Sequence, residues 1–360
     1  MSNTLDSYVT LGRSGLRVSP LTLGTMSFGE DWGRGADPRT CHTMLSAYVD
    51  AGGNSVDTAN SYTNGHSERI IGDWLSAAPA RRDRLVVGTK FFCNLHPGDP
   101  NGGGAGRKSL LDQLHQSLRR LRTDYVDLLW LHGWDPFTPL EETMCSLDDV
   151  VRAGKVRYIG FSNTPAWIAS EAQTLARLRG RPTVVAFQLE YSLLERTVEG
   201  AHLPMCEAHG MGVMPWSPLK NGLLSGTYRR DGSSSTRGGR AAVDALSDAD
   251  RAVVEEVHAV AEDVGVSPAA VALAWVRSRP EVTSTLIGAR TPEQLRSNLA
   301  SLTVELSDEH LARLDAVSRP APVYPNGYEA STRIMQFPGT TVDGIAYPPN
   351  PALDSATARY

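Results

Sequence analysis

The chain has 360 residues, 41% of them hydrophobic and 21% charged, with a net charge of −5 at pH 7. That balance is ordinary for a globular protein and offers no basic footprint for nucleic acid or an anionic membrane. No stretch approaches the roughly 20 apolar residues that span a bilayer.

The opening segment MSNTLDSYVTLGRSG lacks a basic region followed by an apolar run, so no signal peptide is expected and a cytoplasmic protein is inferred. Residues 8–11 and 16–18 are short apolar runs around Gly12-Arg13-Ser14-Gly15, which predicts a β-hairpin. Leu21-Thr22-Leu23-Gly24 predicts a buried strand, followed by a Gly- and Asp-rich loop over 30–37 and a helix over 40–51 that Gly52-Gly53 stops. Residues 55–75, SVDTANSYTNGHSERIIGDWL, run strand, loop, helix: Val56-Asp57 closes in a carboxylate, Tyr62 sits in a turn marked by Asn64-Gly65, and Ile70, Ile71, Trp74 and Leu75 share a helical face. An apolar strand over 84–90 ends in Lys90. A Gly/Pro-dense loop covers 94–106, and Leu110, Leu111, Leu114, Leu118 and Leu121 mark an amphipathic helix over 109–121.

The rhythm continues with a strand over 125–131 that His132 ends, a helix over 140–151, a strand over 156–160 leading into Phe161-Ser162-Asn163, and a helix over 166–179. Strands over 183–187 and 211–214 flank a short helix over 203–209. A polar, Gly- and Arg-rich stretch over 225–245 reads as a mobile loop. Helices over 248–264 and 268–279, a last strand over 282–286, and helices over 291–299 and 307–317 complete the pattern. Pro292 falls in the first turn of the former, and Ser307 caps the latter, with Glu309 or His310 near its N3 position.

Eight buried strands, centred on Leu23, Val56, Val87, Leu129, Ile159, Val185, Val213 and Thr285, each precede a helix. Near-continuous apolar strands in such alternation mean a parallel sheet. Eight units over about 300 residues fit one (β/α)8 TIM barrel, for which about 250 residues is typical. A doubly wound sheet is the rival, and one that held a dinucleotide would carry GxGxxG after its first strand; neither Gly24–Gly29 nor Gly102–Gly106 has that spacing. The expected organisation is an α/β barrel over 1–318 with its N-terminal hairpin. A Pro-rich C-terminal extension over 319–360, without clear periodicity, either covers the barrel or is partly disordered.

The chemistry concentrates at strand ends. Asp57, Lys90 and His132 close three consecutive strands, and Tyr62 follows the first of them. Ligands bind at that end of a parallel barrel. Each residue alone has a bland reading: Asp as a turn or cap, Tyr as a half-buried packing residue, Lys or His as a structural strand end. Together, Asp57 would neutralise Lys90, and an ammonium beside Tyr62 would lower the phenol from its reference near 10, making it a proton donor near neutral pH. His132 could orient a carbonyl. Four cysteines, Cys41, Cys93, Cys145 and Cys206, share no metal-ligand spacing and read as thiols in a reducing compartment. A metal-dependent hydrolase lacks further His and carboxylate ligands at strand ends, so no metal is expected.

At this point the chain resembles the aldo-keto reductases over about residues 8–317. DTANSY is similar to the family's Asp-Thr-Ala…Tyr segment, and Lys90 after VVGT and His132 after YVDLLWL fall where the family places its lysine and histidine. GFSN (160–163), QLEYSLL (188–194), PWSPLKNGLLSG (215–226) and IGARTPEQLRSNL (287–299) agree as well. The resemblance is strongest to the branch containing potassium-channel β-subunits and many bacterial reductases. It departs from the pattern at Thr63, where the family often has Gly, and at Trp130, where the branch commonly has a smaller or more polar residue.

The resemblance implies a catalytic tetrad of Asp57, Tyr62, Lys90 and His132 and NADP(H) bound without a Rossmann motif. Gly24, Thr25, Met26 and Asp57 would border the cofactor. Ser162, Asn163 and Gln188 would hold the carboxamide, with Trp216 packed near the nicotinamide. Ser217, Pro218, Leu219, Asn221 and Gly222 would line the pyrophosphate, and Gly288, Arg290, Gln294 and Asn298 the adenosine end, Arg290 facing the 2′-phosphate because a guanidinium fork suits it. The expected activity is reversible reduction of a small-molecule aldehyde or ketone. The competing reading is a slow, cofactor-binding redox sensor that reports to a partner. Homo-oligomerisation stays open.

Overall fold

The computed structural model describes residues 4–227 and 246–351. The chain divides into two compact units, 1–318 and 319–360. Most of the Gly- and Arg-rich stretch read as a loop over 225–245 lies outside the described residues.

The first unit opens with the antiparallel hairpin β1 (Val9–Thr10) and β2 (Arg17–Val18). Eight strands follow: β3 (Leu21–Gly24), β4 (Ser55–Asp57), β5 (Val86–Phe91), β6 (Val126–Leu131), β7 (Val156–Ser162), β8 (Val184–Glu190), β9 (Gly212–Trp216) and β10 (Thr285–Gly288). They form one sheet in the order β10-β3-β4-β5-β6-β7-β8-β9, every neighbouring pair parallel. A parallel bridge between Val213 and Val282, with the Thr283 N–H donating to the Val213 carbonyl (2.8 Å), joins the two ends. The sheet is therefore a (β/α)8 barrel.

Helices α1 (Pro38–Asp50), α2 (His66–Ser76), α3 (Arg107–Leu121), α4 (Leu140–Arg152), α5 (Ala166–Leu178) and α6 (His202–His209) connect successive strands. Helices α7 (Asp248–Val264) and α8 (Pro268–Arg277) precede β10, and α9 (Pro292–Ala300) and α10 (Asp308–Ser318) follow it. Their starts are written in the sequence. Asp37 accepts from the Arg39 and Thr40 N–H groups, Ser247 and Asp250 form a capping box, and Thr291 caps α9 ahead of Pro292. At α10 the Ser307 hydroxyl accepts from the His310 N–H (3.2 Å) and the His310 ring accepts from the Ser307 N–H (3.4 Å), so His310 fills the position usually taken by Glu.

Two cores result. The larger lies between the outer face of the sheet and the helices; the smaller fills the barrel with Leu11, Val18, Leu128, Trp130, Val185, Ala186, Met214 and Leu286. Leu11 and Val18 come from the hairpin, which closes the end where the strands begin. Gly12 makes that seat possible. Its φ is +57°, and a Cβ there would lie 2.4 Å from the Val185 carbonyl oxygen.

Three expectations need correction. Strands β7 and β8 run on through polar residues to Ser162 and Glu190, paired at Ser162 and Gln188, because the ladder outlasts the apolar run. The last strand begins at Thr285, and Val282 serves only the closing bridge. The second unit is not without regular structure: it holds helix α11 (Asn326–Gln336) and the antiparallel pair β11 (Thr341–Val342) and β12 (Ile345–Ala346).

Candidate active site

Alternation along β5 sends Lys90 into the barrel and Thr89 outward. The Lys90 ammonium is fully buried, and an ammonium has three N–H donors to satisfy. One goes to the Asp57 carboxylate at Oδ2, one to the Thr58 carbonyl (3.0 Å), and one to the Tyr62 hydroxyl oxygen (2.9 Å). Asp57 and Thr58 continue β4, the strand paired with β5. The other Asp57 oxygen accepts from the Gln188 amide (3.1 Å) across the barrel. The Thr25 N–H and hydroxyl both donate to the Asp57 backbone carbonyl (2.9 and 3.0 Å).

Tyr62 opens a single tight turn over Tyr62–Gly65 in which Thr63, Asn64 and Gly65 all have positive φ. A glycine would take this conformation at Thr63 more readily. The threonine offers a different compensation: its hydroxyl donates to the Phe28 carbonyl (2.6 Å) and accepts from the Ser67 N–H (3.0 Å), tying the turn to the β3 loop and to the first turn of α2. His132 follows β6, with its N–H on the Phe91 carbonyl (3.1 Å). Its ring meets the half-buried Tyr62 ring edge-on, centroids 5.9 Å apart. The Cys93 thiol lies 3.8 Å from His132 Nδ1, a neighbour sequence reading did not single out.

The electrostatics differ from expectation in one respect. Burial is the largest influence on Tyr62 and raises its pKa; Lys90 pulls it back without overcoming burial. The expected lowering below the free phenol does not occur, because the hydroxyl is out of water. Burial also pushes the Asp57 carboxyl up, opposed by Lys90 and Gln188. Burial works against the Lys90 charge as well, yet Asp57 and Tyr62 together raise its pKa. Burial, then the Lys90 charge, drive His132 down to about 3. The arrangement therefore holds a charged ammonium, a protonated phenol and a neutral imidazole. Since the Tyr62 oxygen accepts from Lys90, its own O–H proton is directed elsewhere, available to an acceptor at the mouth of the barrel.

The residues expected to hold a cofactor lie at the same ends of the remaining strands. Ser162 closes β7, and its hydroxyl is buried with no hydrogen-bond partner among the described residues, a donor that a ligand amide could satisfy. Gln188 is buried beside Asp57. Asn163 (φ 48°) donates to the His132 carbonyl (2.9 Å) and accepts from the Trp216 indole (3.2 Å), so its amide links three strand ends. Trp216 closes β9 half-buried, and Ser217 (φ 49°), Pro218, Leu219, Asn221 (φ 55°) and Gly222 form the tight turns after it. Gly24, Thr25 and the exposed Met26 end β3. Gly288 ends β10 with open space where a Cβ would be, and Arg290 is exposed beyond it. Gln294 and Asn298 are engaged in bracing this turn, on the Arg290 N–H (2.8 Å) and the Gly288 carbonyl (3.0 Å). Among the described residues no group of His, Cys, Asp and Glu could hold a metal ion, and no single helix is long and apolar enough to cross a membrane.

Comparison with known proteins fits this picture. Residues 20–319 match the profile of the aldo/keto reductase family. Over 312 residues the chain is 37% identical to the norsolorinic acid reductase stcV of Emericella nidulans, covering 84% of this chain and 79% of that protein. It is 38% identical over 331 residues to an uncharacterized oxidoreductase of Bacillus subtilis, 89% of this chain and 99% of that one. It is 35% identical over 323 residues to the aryl-alcohol dehydrogenase [NADP(+)] of Phanerodontia chrysosporium, 84% and 83% of the two chains. With a profile spanning the whole barrel and relatives at this identity along it, the chain belongs to the aldo/keto reductase family of oxidoreductases.

Proposed function

We propose that the protein is an NADP(H)-dependent reductase that converts an aryl aldehyde or ketone to the alcohol, and the reverse, with Tyr62 as general acid. The observation that carries this reading is the three-way engagement of the Lys90 ammonium by Asp57, Thr58 and Tyr62. It fixes the phenol oxygen while leaving the phenol proton to be donated. NADPH, when bound, supplies the hydride. Ser162, Asn163 and Gln188 would hold its carboxamide, with Trp216 near its ring. Ser217, Pro218, Leu219, Asn221 and Gly222 would line its pyrophosphate, and Arg290 would meet its 2′-phosphate. The orphaned Ser162 hydroxyl supports that fit.

The residues of the chain divide the remaining work. Tyr62 donates its proton to the carbonyl oxygen as negative charge develops there, and Lys90 stabilises the phenolate left behind. Asp57 keeps Lys90 charged and in place. His132, neutral, offers a hydrogen bond that orients the carbonyl without competing as an acid. The aryl preference rests on aromatic side chains at this end of the barrel: Trp32 after β3, Phe92 after β5, and Trp134 and Phe137 after β6, all on loops, with Trp167 in the first turn of α5. Phe137 and Trp167 are exposed, as ligand-facing aromatics on a barrel mouth would be. The name of one relative, an aryl-alcohol dehydrogenase, points to the same substrate class.

Tyr62→Phe tests the assignment. Turnover of an aryl aldehyde falls by about 10²–10⁴-fold, the range for loss of a general acid, while NADPH affinity measured by tryptophan quenching is retained. Parent-level turnover in this variant would overturn the role given to Tyr62. Arg290→Ala raises the Kd for NADPH and leaves that for NADH unchanged; an equal effect on both would remove the basis for NADP(H) preference.

A further inference from the structure

Trp130 and Trp275 are the largest fully buried side chains among the described residues, and the Trp130 indole N–H makes no hydrogen bond of ordinary geometry among them. A buried N–H in that state calls for an explanation. The surroundings supply one. Trp130 pairs in register with Lys90 on one side and Gly160 on the other. A Cβ at Gly160 would overlap the indole, 2.4 Å from Cε3 and Cζ3. On the opposite side Gly88, the register partner of Asp57, leaves a second notch. A Cβ there would stand 3.1 Å from the indole Nε1 and 3.4 Å from Asp57 Oδ1. Two missing side chains thus cut a slot from β7 to β5. The indole lies in it with its N–H at the same notch as the carboxylate.

We propose that Trp130 is a positioning residue whose indole N–H, seated in the slot between Gly88 and Gly160, holds the Asp57 carboxylate against Lys90 and thereby fixes the ammonium on which the Tyr62 phenol rests. The inference rests on the tetrad reading given above. Asp57 Oδ1 already accepts from Gln188, a side chain that a bound carboxamide would also engage. The indole N–H is a donor to the same carboxylate that no ligand can reach. It favours the ionised carboxylate in the same sense as Lys90 and Gln188. The other titratable groups around the cluster are Lys90 and Tyr62 in direct contact, with His132 and Cys93 beyond them.

The test is Trp130→Phe, which keeps an aromatic ring in the slot and removes the donor together with part of the indole's bulk. In aryl aldehyde reduction kcat falls about tenfold, a change equivalent to about 1.4 kcal/mol. The low-pH limb of kcat moves up by about one pH unit, because Asp57 then takes a proton more readily. NADPH affinity stays at the parent value. A loss of packing alone lowers stability and leaves the pH limb in place, and an unmoved limb overturns the proposal. A second measurement does not depend on catalysis. In 15N-labelled protein the Trp130 indole N–H resonance, assigned by its loss in Trp130→Phe, shifts in Asp57→Asn. An unshifted resonance overturns the proposal even if activity is never detected. Absence of carbonyl reduction in the parent protein, with the resonance shifted, overturns the tetrad reading and leaves the Trp130–Asp57 contact standing.

Discussion

Lys90 shows how far a single side chain can be committed. Its three donors are all used inside the barrel, so the residue has no alternative arrangement that leaves the ammonium solvated. His132 presents the opposite case. Held near 3, it stays neutral through the physiological range, and its titration belongs to the stability of the fold. The unfolded imidazole protonates near 6.5 and the folded one does not, so as pH falls below about 6.5 toward 3 this residue progressively removes stability. Chemical denaturation across that range should show a smaller loss in His132→Gln than in the parent. Equal losses would mean that the imidazole titrates normally in the folded protein. The positions of Asp57, Tyr62, Lys90 and His132 were legible because strand ends can be read from where apolar runs stop. The direction of the Tyr62 shift was not: a neighbouring charge is visible in the sequence, whereas the burial that outweighs it is a property of the assembled mouth.

At the scale of elements, the outward side of β5 is as constrained as the inward one. Thr89 donates to Glu68 on α2 (2.5 Å), and Arg120 on α3 holds the other Glu68 oxygen (2.6 Å). Glu68 is fully buried. Glu68→Gln leaves Arg120 facing no carboxylate and should cost about 3–5 kcal/mol, as when one partner of a buried pair is removed; a denaturation midpoint equal to the parent's would contradict this. Thr63→Ala removes both hydroxyl contacts of the tyrosine turn while leaving its positive φ. The expected loss is about 1 kcal/mol, typical of a lost helix-start bond, with a larger fall in kcat than in cofactor affinity because Tyr62 adjoins it. An unchanged kcat would show that the turn is held by other contacts.

Element types were readable wherever apolar periodicity was strong, as in α3 and β6. The slot around Trp130 was not, since it depends on which glycines of β5 and β7 fall beside a residue of β6 in register. Helix α11 was missed for a compositional reason: prolines flank it closely, and Tyr328 and Met335 are exposed in the structure, so its pattern does not resemble a core-facing helix.

For the molecule as a whole, the barrel was legible from eight apolar runs alternating with helices, each run continuous because both of its faces are covered. What could not be read is how evenly the ring is closed. Seven of its joints are ladders of paired residues, whereas the eighth, between β9 and β10, is the bridge at Val213 and Val282 and the bond from Thr283. Strand β5, bearing Lys90, stands across the ring from this joint. The segments assigned to the pyrophosphate and adenosine follow β9 and β10, one on each side of it. The weakest seam of the wall is thus where the ligand would lie, and a dinucleotide spanning it would act as a clasp. Amide exchange at Thr283 should accordingly be faster than in β5 and β6 in the ligand-free protein, and NADPH should slow it more than it slows exchange at Leu129. Equal protection before and after binding would mean that the wall is already fastened by the chain itself.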